Sequence, residues 1–409
     1  MSANRLLLRS ALLGACPCCC TDFSHAQPFG VEGANNLMPA SGGMGGASIA
    51  RPQDFLSSIN ENPAALTQYE GTQFTFSGTW AEPTFNLATP GYGLPGQPPI
   101  VAPFSAKSGT PGILAPNIGV LQQMEVMGRD LHVGLALISA SGLGTSFVAV
   151  PESGGTASYL LCLEVVPSVG FQLTDRLSVG AGVFLGTAFL EGPYVGQSAM
   201  TNDYALRANL GFDYDLSDQT TIGMFWKTRQ NFRFEDGEIP TGGTGPIDVR
   251  LGLPEQFGVG LANTSLAEGR LLIALDGLFI QWDTADFWKS VYRNQWVMQL
   301  GAQYTLNERI RLRAGYVYAQ NPIDDNVGST IGGIVVPGGN PAVKYTQAQF
   351  GVINENRMTV GCGVSDIMPG IDLDVLAGGM PRAHHNFGAT LANRESYWLG
   401  AGLTWRFGD

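Results

Sequence analysis

From Thr72 onward, apolar and polar residues alternate one for one in run after run, and no other feature constrains the chain as much. Tyr204, Leu206, Ala208, Leu210, Phe212, Tyr214 and Leu216 share one parity, while Arg207, Asn209, Gly211, Asp213 and Asp215 share the other. Thr220–Arg233, Gln295–Leu306 and Arg309–Gln320 repeat the pattern. A period of two sends successive side chains to opposite faces of a sheet, so the chain predicts a long array of two-faced strands. The apolar rows end in aromatics, as at Trp296 and Tyr304, Tyr204 and Tyr214, and Tyr397 with Trp405 and Phe407. Aromatics at both ends of an apolar band are the interface girdles of a membrane barrel.

The connections give a second signal. About fourteen strands are expected, centred at about residues 78, 122, 135, 166, 183, 210, 226, 256, 277, 300, 315, 357, 374 and 402. Short links such as Thr174–Arg176, Ser217–Gln219 and Asn307–Arg309 alternate with long ones at about 87–116, 141–158, 191–202, 234–246, 284–293, 321–347 and 379–395. Strict alternation predicts an all-β, antiparallel up-and-down transmembrane barrel, with short periplasmic turns, long outer loops and both termini periplasmic. An even strand count closes it without a free edge.

Composition agrees. Charged residues make up 14% of the chain and 55 residues are glycine, where a soluble domain carries about a quarter charged residues. No apolar run approaches the roughly 18 residues of a membrane helix. A net charge of −12 argues against nucleic acid. There is no P-loop, no zinc-type spacing and no Gly-x-Ser-x-Gly elbow, so no cofactor, metal or catalytic residue is expected. The pair His384–His385 reads as a solvated loop pair, and Gly180-Ala181-Gly182 with Gly186 as small inward residues of a strand.

Met1–Ala26 reads as a secretory signal, with Arg5 and Arg9 before an apolar stretch and Ser24-His25-Ala26 as the cleavage site. Leu13-Gly14-Ala15-Cys16 offers a lipoprotein-type alternative that would acylate Cys16. Cys162 and Cys362 fall at opposite ends of the array, and no disulfide is expected between them. One stretch before the array, Gly42–Leu66, has neither strand nor helix period. The expected division is therefore signal 1–26, an N-terminal plug 27–69 and a barrel 70–409, with Asn62, Pro63 and Ala64 as the turn of the plug.

Three blocks carry a resemblance. They are Gly42–Leu66 with Asp54 and Asn62-Pro63-Ala64; Leu253-Pro254-Glu255-Gln256-Phe257-Gly258-Val259-Gly260-Leu261 with the following Gln281-Trp282-Asp283; and Trp296 through Tyr304, Leu312 through Tyr318 and Asn321-Pro322. In that order, behind a signal, they resemble the FadL/TodX family of outer-membrane transporters for long-chain fatty acids and other hydrophobic compounds. The resemblance implies a fourteen-stranded barrel closed by an N-terminal hatch. It also implies passive uptake with lateral release into the membrane, and Phe29 folded into the ligand pocket (a frayed terminus is the alternative). Outer-membrane barrels commonly end on an aromatic residue, whereas Gly408 and Asp409 follow Phe407 here.

Strand parity supplies the site candidates. Arg207, Lys227, Arg229 and Arg233, with Arg250 of uncertain register, are expected to point inward near the outer end. They would form a basic patch for an acid head group, or else pair with Glu235, Asp236 and Glu238. Phe225, Leu272, Ala274, Leu278 and Ile280 make an apolar lumen that suits a greasy ligand or contacts the hatch. Arg311, Arg313 and Arg406 face the hatch, with Asp54 and Glu61 as partners, or alternatively Asp213 and Asp215 of the wall. Gly134 is the expected site of the lateral gap. The expected partners are hydrophobic small molecules and outer-membrane lipid, around a monomer. The alternatives are a structural or adhesion barrel, or a barrel-type lipid hydrolase.

Overall fold

A computed structural model describes residues 31–191, 200–238 and 247–407. The signal region, Cys16 and Phe29 lie outside the described residues. Fourteen antiparallel strands run in chain order around one wall: β1 Thr72–Thr89, β2 Ile113–Val126, β3 Arg129–Ser146, β4 Ala157–Thr174, β5 Leu177–Glu191, β6 Thr201–Ser217 and β7 Thr220–Lys227. The second half is β8 Glu255–Leu266, β9 Leu271–Gln281, β10 Gln295–Thr305, β11 Ile310–Ala319, β12 Asn356–Met368, β13 Ile371–Phe387 and β14 Thr390–Phe407. Register pairs from Thr72 with Phe407 to Ala88 with Leu391 join β14 to β1 and close the ring. Every strand centre expected from the sequence falls within its strand.

The alternation now has a physical cause. In β10, Trp296, Met298 and Leu300 are exposed while Gln295, Val297 and Gln299 are buried. Apolar side chains stand outside and a mixed set stands within, the inverse of a soluble sandwich and the pattern of a lipid-bathed wall. Aromatic pairs mark the edges of the band, with Trp226 stacked on Phe257 near one end and Trp405 on Phe407 near the other.

One connection differs from expectation. A long loop at 379–395 is replaced by β13 and β14 running on as a tall hairpin joined at Gly388 and Ala389. Residues 379–387 read as loop because their alternation fails where Met380–Ala383 shifts register. His384 and His385 therefore lie on a strand, and His385 Nε2 sits 3.1 Å from Asp325 Oδ1.

The plug occupies the half of the barrel nearer the short turns. It consists of a 3-10 turn Val31–Leu37, helices α1 Pro39–Gly42 and α2 Phe55–Asn60, and a 3-10 turn Pro63–Gln68. Asp54 caps α2, where Oδ1 accepts from Ser57 N at 2.8 Å, while Oδ2 accepts from Ser41 N at 2.9 Å. One carboxylate thus ends one helix and ties down the other. Asn62 does similar work at the next turn, as Oδ1 accepts from Ala64 N and Nδ2 donates to Ile49 O at 2.7 Å and to Phe212 O on β6 at 3.2 Å.

Wall glycines explain how so much backbone fits inside. Gly170, Gly180 and Gly211 are register neighbours on β4, β5 and β6. A Cβ on Gly180 would stand 2.3 Å from Ala64 N, and one on Gly211 2.3 Å from Asn62 Oδ1. On the opposite side, a Cβ on Gly315 of β11 would lie 2.0 Å from Gly45 N. The plug rests on bare backbone at both flanks, which only glycine permits.

The other half of the lumen is filled from the long-loop end. Helix α3 (Gly339–Gln349) lies in the loop after β11, with Ala342–Gln349 buried. Tyr345 packs on Tyr92 and Phe104. Trp282, Phe287, Trp288, Tyr292 and Phe350 form an aromatic cluster beside it.

Candidate functional site

Between the plug and the loop cluster lies a buried chamber region, packed with apolar side chains and bordered by charged ones. Phe225, Leu278 and Ile280 face inward and belong to one apolar cluster with Ile49 of the plug. Leu272 and Ala274, also inward, touch Met44, Ala47 and Ala50 instead. The inward apolar positions thus divide into a chamber set and a plug-contact set.

The charged floor centres on Phe184 of β5. Arg207 Cζ and Lys227 Nζ each lie 4.8 Å from its ring centroid, and Lys227 is 5.8 Å from that of Phe225. Aromatic faces attract cations, more strongly in a dry site. Arg207 Nη2 pairs with Glu164 Oε2 of β4 at 2.7 Å, with both side chains buried. Arg207 Nε and Nη1 and Glu164 Oε1 are buried with no hydrogen-bond partner among the described residues. Lys227 Nζ donates to Asn60 Oδ1 of the plug at 3.2 Å.

Two more acids join from below. Asp276 Oδ2 of β9 accepts from Ser48 N at 2.6 Å and Ile49 N at 2.9 Å, fixing an irregular plug segment to the wall. Glu61 accepts from Ser48 Oγ at 3.2 Å, and Asn209 Nδ2 donates to Glu61 O at 2.8 Å. Burial, and after it the Asp276 carboxylate, push Glu61 up to about 8, against the pull of Lys227. The folded state therefore holds the Glu61 proton more tightly than an unfolded chain with its ordinary value of 4.5. Its contribution is complete at acid pH and is lost as pH rises towards about 8. The melting temperature of the wild type in detergent is expected to fall relative to Glu61→Gln across that window; parallel curves would remove Glu61 as the cause.

Several expected placements change. Arg229, Arg233 and Arg250 are exposed, not inward. The wall strand β7 stops at Lys227, and the chain resumes at Gln230 in a separate hairpin, Gln230–Glu238 with Ile247–Leu253, so the parity flips across Thr228 and Arg229. Arg233 binds Asp248 there through Nη2 at 2.7 Å, and that hydrogen bond holds the Asp248 carboxyl below its usual range. Only Arg207 and Lys227 of the expected basic patch reach the chamber.

Asp54 and Glu61 do not pair with Arg311 or Arg313. Arg313 is buried and reaches Asp374 of β13 and Gln303 Oε1, the latter at 2.7 Å, while Arg311 faces Asp372 at 3.7 Å. Arg406 binds Asp366 at 2.7 Å. Asp213 takes Gln68 Nε2 at 2.6 Å, and Asp215 takes Thr221 Oγ1 at 2.6 Å. Carboxylates one or two strands away along the wall are nearer than any on the plug, because Asp54 is committed to capping.

Gly134 of β3 does not open the wall, since it is in register with Leu121 on one side and Ser168 on the other. Its missing side chain makes room for Ile59 of α2, whose Cδ1 would stand 2.8 Å from a Cβ. The interrupted seam lies further along β3. Pairing with β2 ends at Ile118 with Leu137, and the β4 register shifts between Ser139 and Ser141. Beyond that point β2 and β3 are bridged through Ser139, whose N donates to Asn117 Oδ1 at 2.9 Å and whose Oγ donates to Pro116 O at 2.7 Å.

Glu164 and Asp276 were missed by sequence reasoning. Each is the lone acid at an inward position of an apolar strand, in Leu163-Glu164-Val165 and Leu275-Asp276-Gly277. That signal was present and singles them out as buried charges in need of a partner.

Residues 20–192 match the family described as outer membrane protein transport protein (OMPP1/FadL/TodX). No curated protein matches the chain. Among solved structures, the P. putida toluene transporter TodX is similar with a TM-score of 0.64 at 18% identity, over 95% of this chain and 100% of that one. The Ralstonia pickettii toluene transporter TbuX gives 0.62 at 18%, over 95% and 100%. A Pseudomonas aeruginosa FadL homologue gives 0.63 at 15%, over 90% and 98%.

Proposed function

We propose that this chain, whose residues 20–192 match the OMPP1/FadL/TodX family of outer-membrane transport proteins and whose fold is that of TodX, admits hydrophobic molecules with an acid head group, long-chain fatty acids foremost, past a hatch formed by its N-terminal plug. The observation that carries this reading is the chamber floor, where a buried apolar cluster ends on two cations that share the Phe184 ring, with Arg207 Nε and Nη1 unpartnered among the described residues. A carboxylate placed there gains charge-assisted hydrogen bonds. An acyl chain along Phe225, Leu278 and Ile280 gains about 0.8 kcal/mol for each buried CH₂. The termini and short turns would face the periplasm, and a single closed chain needs no partner subunit.

Release would be lateral, through the bridged seam between β2 and β3. Pro116 has no N–H to offer a neighbouring strand, and Ser139 spans the interval by side-chain bonds that a passing ligand can displace. The sequence carries no P-loop, and flux would follow the gradient.

A second reading, neutral aromatic hydrocarbons, is favoured by the Glu164 pair, which offsets the Arg207 charge, and by the two toluene transporters that share the fold. Uptake of oleate and toluene by cells carrying the protein separates the two. For Arg207→Gln/Lys227→Gln, oleate uptake is expected to fall about tenfold, for one lost charge-assisted contact, with toluene uptake unchanged. Equal loss of both would favour a purely structural role for the two cations. No difference between cells with and without the wild type would end the transport reading. In the same assay, oxidation of an Asn117→Cys/Ser139→Cys pair should stop uptake and reductant restore it.

A further inference from the structure

A surface cleft of about 410 Å³ lies at the long-loop end, lined by Ile247, Val249, Phe287, Ile331 and Ile334 with Asp286 and Lys289 among its polar members. Phe287 is 3% exposed, so its ring is floor rather than rim. Beneath, it meets Trp288 edge-on at 4.9 Å and Phe350 edge-on at 5.6 Å. That packing belongs to the same apolar cluster as Phe225, Leu278 and Ile280. The cleft and the chamber residues are thus joined through one continuous apolar core, with the Phe287 ring at its cleft face.

The backbone at this ring is unusual. Phe287 has φ 68° and ψ −60°, a γ-turn conformation that a bulky side chain rarely adopts. Trp288 N–H donates to Asp286 O at 2.9 Å, closing the turn, and Gly252 N–H donates to the same oxygen at 3.1 Å. Lys289 Nζ binds Asp286 Oδ1 at 2.6 Å. These contacts hold a conformation that the residue alone would leave. Relaxation to negative φ would swing Cβ to the other side of the chain and carry the ring off the floor. A strained turn with a lower-strain alternative is a two-position element.

We propose that Phe287 is the gate between the outer cleft and the chamber, and that it sets the width of molecule that passes. This rests on the transport reading above. The Asp286 carbonyl, held by both Trp288 and Gly252, is the latch, and a ligand in the cleft competes for the space the ring occupies.

Glycine accepts φ 68° without strain and removes the ring. Cells carrying Phe287→Gly are expected to take up pyrene about tenfold faster relative to oleate than wild-type cells, as expected when a closing element limits flux. Phe287→Leu, which keeps an apolar floor, should give an intermediate ratio, and it serves the same comparison if heat-dependent gel mobility shows that the glycine variant does not assemble. A wild-type pyrene-to-oleate ratio in the assembled variants overturns the gate. Absence of uptake by the wild type itself would count against the transport reading instead.

Discussion

Replacing Gly315 by valine is expected to unseat the hatch while the barrel stays closed. A Cβ there would stand 2.0 Å from Gly45 N and 2.2 Å from Met44 C, and neither atom belongs to a side chain that can turn away. Gly180→Val makes the same test on the opposite flank, against Pro63 C and Ala64 N at 2.3 Å. Overpacking usually costs about 1–3 kcal/mol when side chains can adjust; against backbone the cost should be about 3 kcal/mol or more. Strand pairing across β10, β11 and β12 does not use the Gly315 side chain position, so the wall should persist. Heat-dependent gel mobility reports the wall, and amide hydrogen exchange of residues 35–66 reports the hatch. Gly277→Val is the control, since a Cβ there meets nothing within 4 Å. Hatch amides as protected in Gly315→Val as in that control would refute the seat.

Glu164→Ala should be the most destabilising single change in the chamber. Arg207 and Glu164 are buried together, and removing the acid leaves a guanidinium in an apolar wall beside Lys227. Breaking a buried pair from one side costs about 3–5 kcal/mol, whereas replacing both members by apolar groups is often neutral or better. The double variant Glu164→Leu/Arg207→Met is therefore expected to recover most of the loss. Urea unfolding of the wild type, Glu164→Leu, Arg207→Met and the double variant in detergent closes the cycle. If the double variant is as unstable as the single one, the pair is not the origin of the effect.

How much could be read from the sequence depended on how local the cause was. Alternation such as Trp296-Val297-Met298 reports directly which face meets lipid, because each residue's environment depends only on its parity. The fourteen strands and most connections were legible for that reason. The inward placement of Arg207 and Lys227 was legible too. Arg229 and Arg233 were not, because a two-residue break after Lys227 turns the chain out of the wall and reverses parity. Partner choice is less local still. In sequence Asp54 suits a wall arginine as partner, but Asp54 before Phe55-Leu56-Ser57 also suits a helix cap, and the cap is what forms. Arg313 meets Asp374 two strands away, a neighbour that exists only once the wall has curved. The tall β13–β14 hairpin was hidden by its own register shift at Met380–Ala383.

The glycine rows have a mechanical consequence. Where the plug touches Gly180 or Gly315, backbone meets backbone, and neighbours along the wall, such as Tyr316, project outward into the apolar band. At these points a single thickness of peptide separates the plug from the surrounding bilayer. Elsewhere an inward side chain would act as padding. Stretching or thinning of the membrane that tilts these strands is thus transmitted to the plug with little compliance in between, which makes the bilayer itself part of the load that the plug bears.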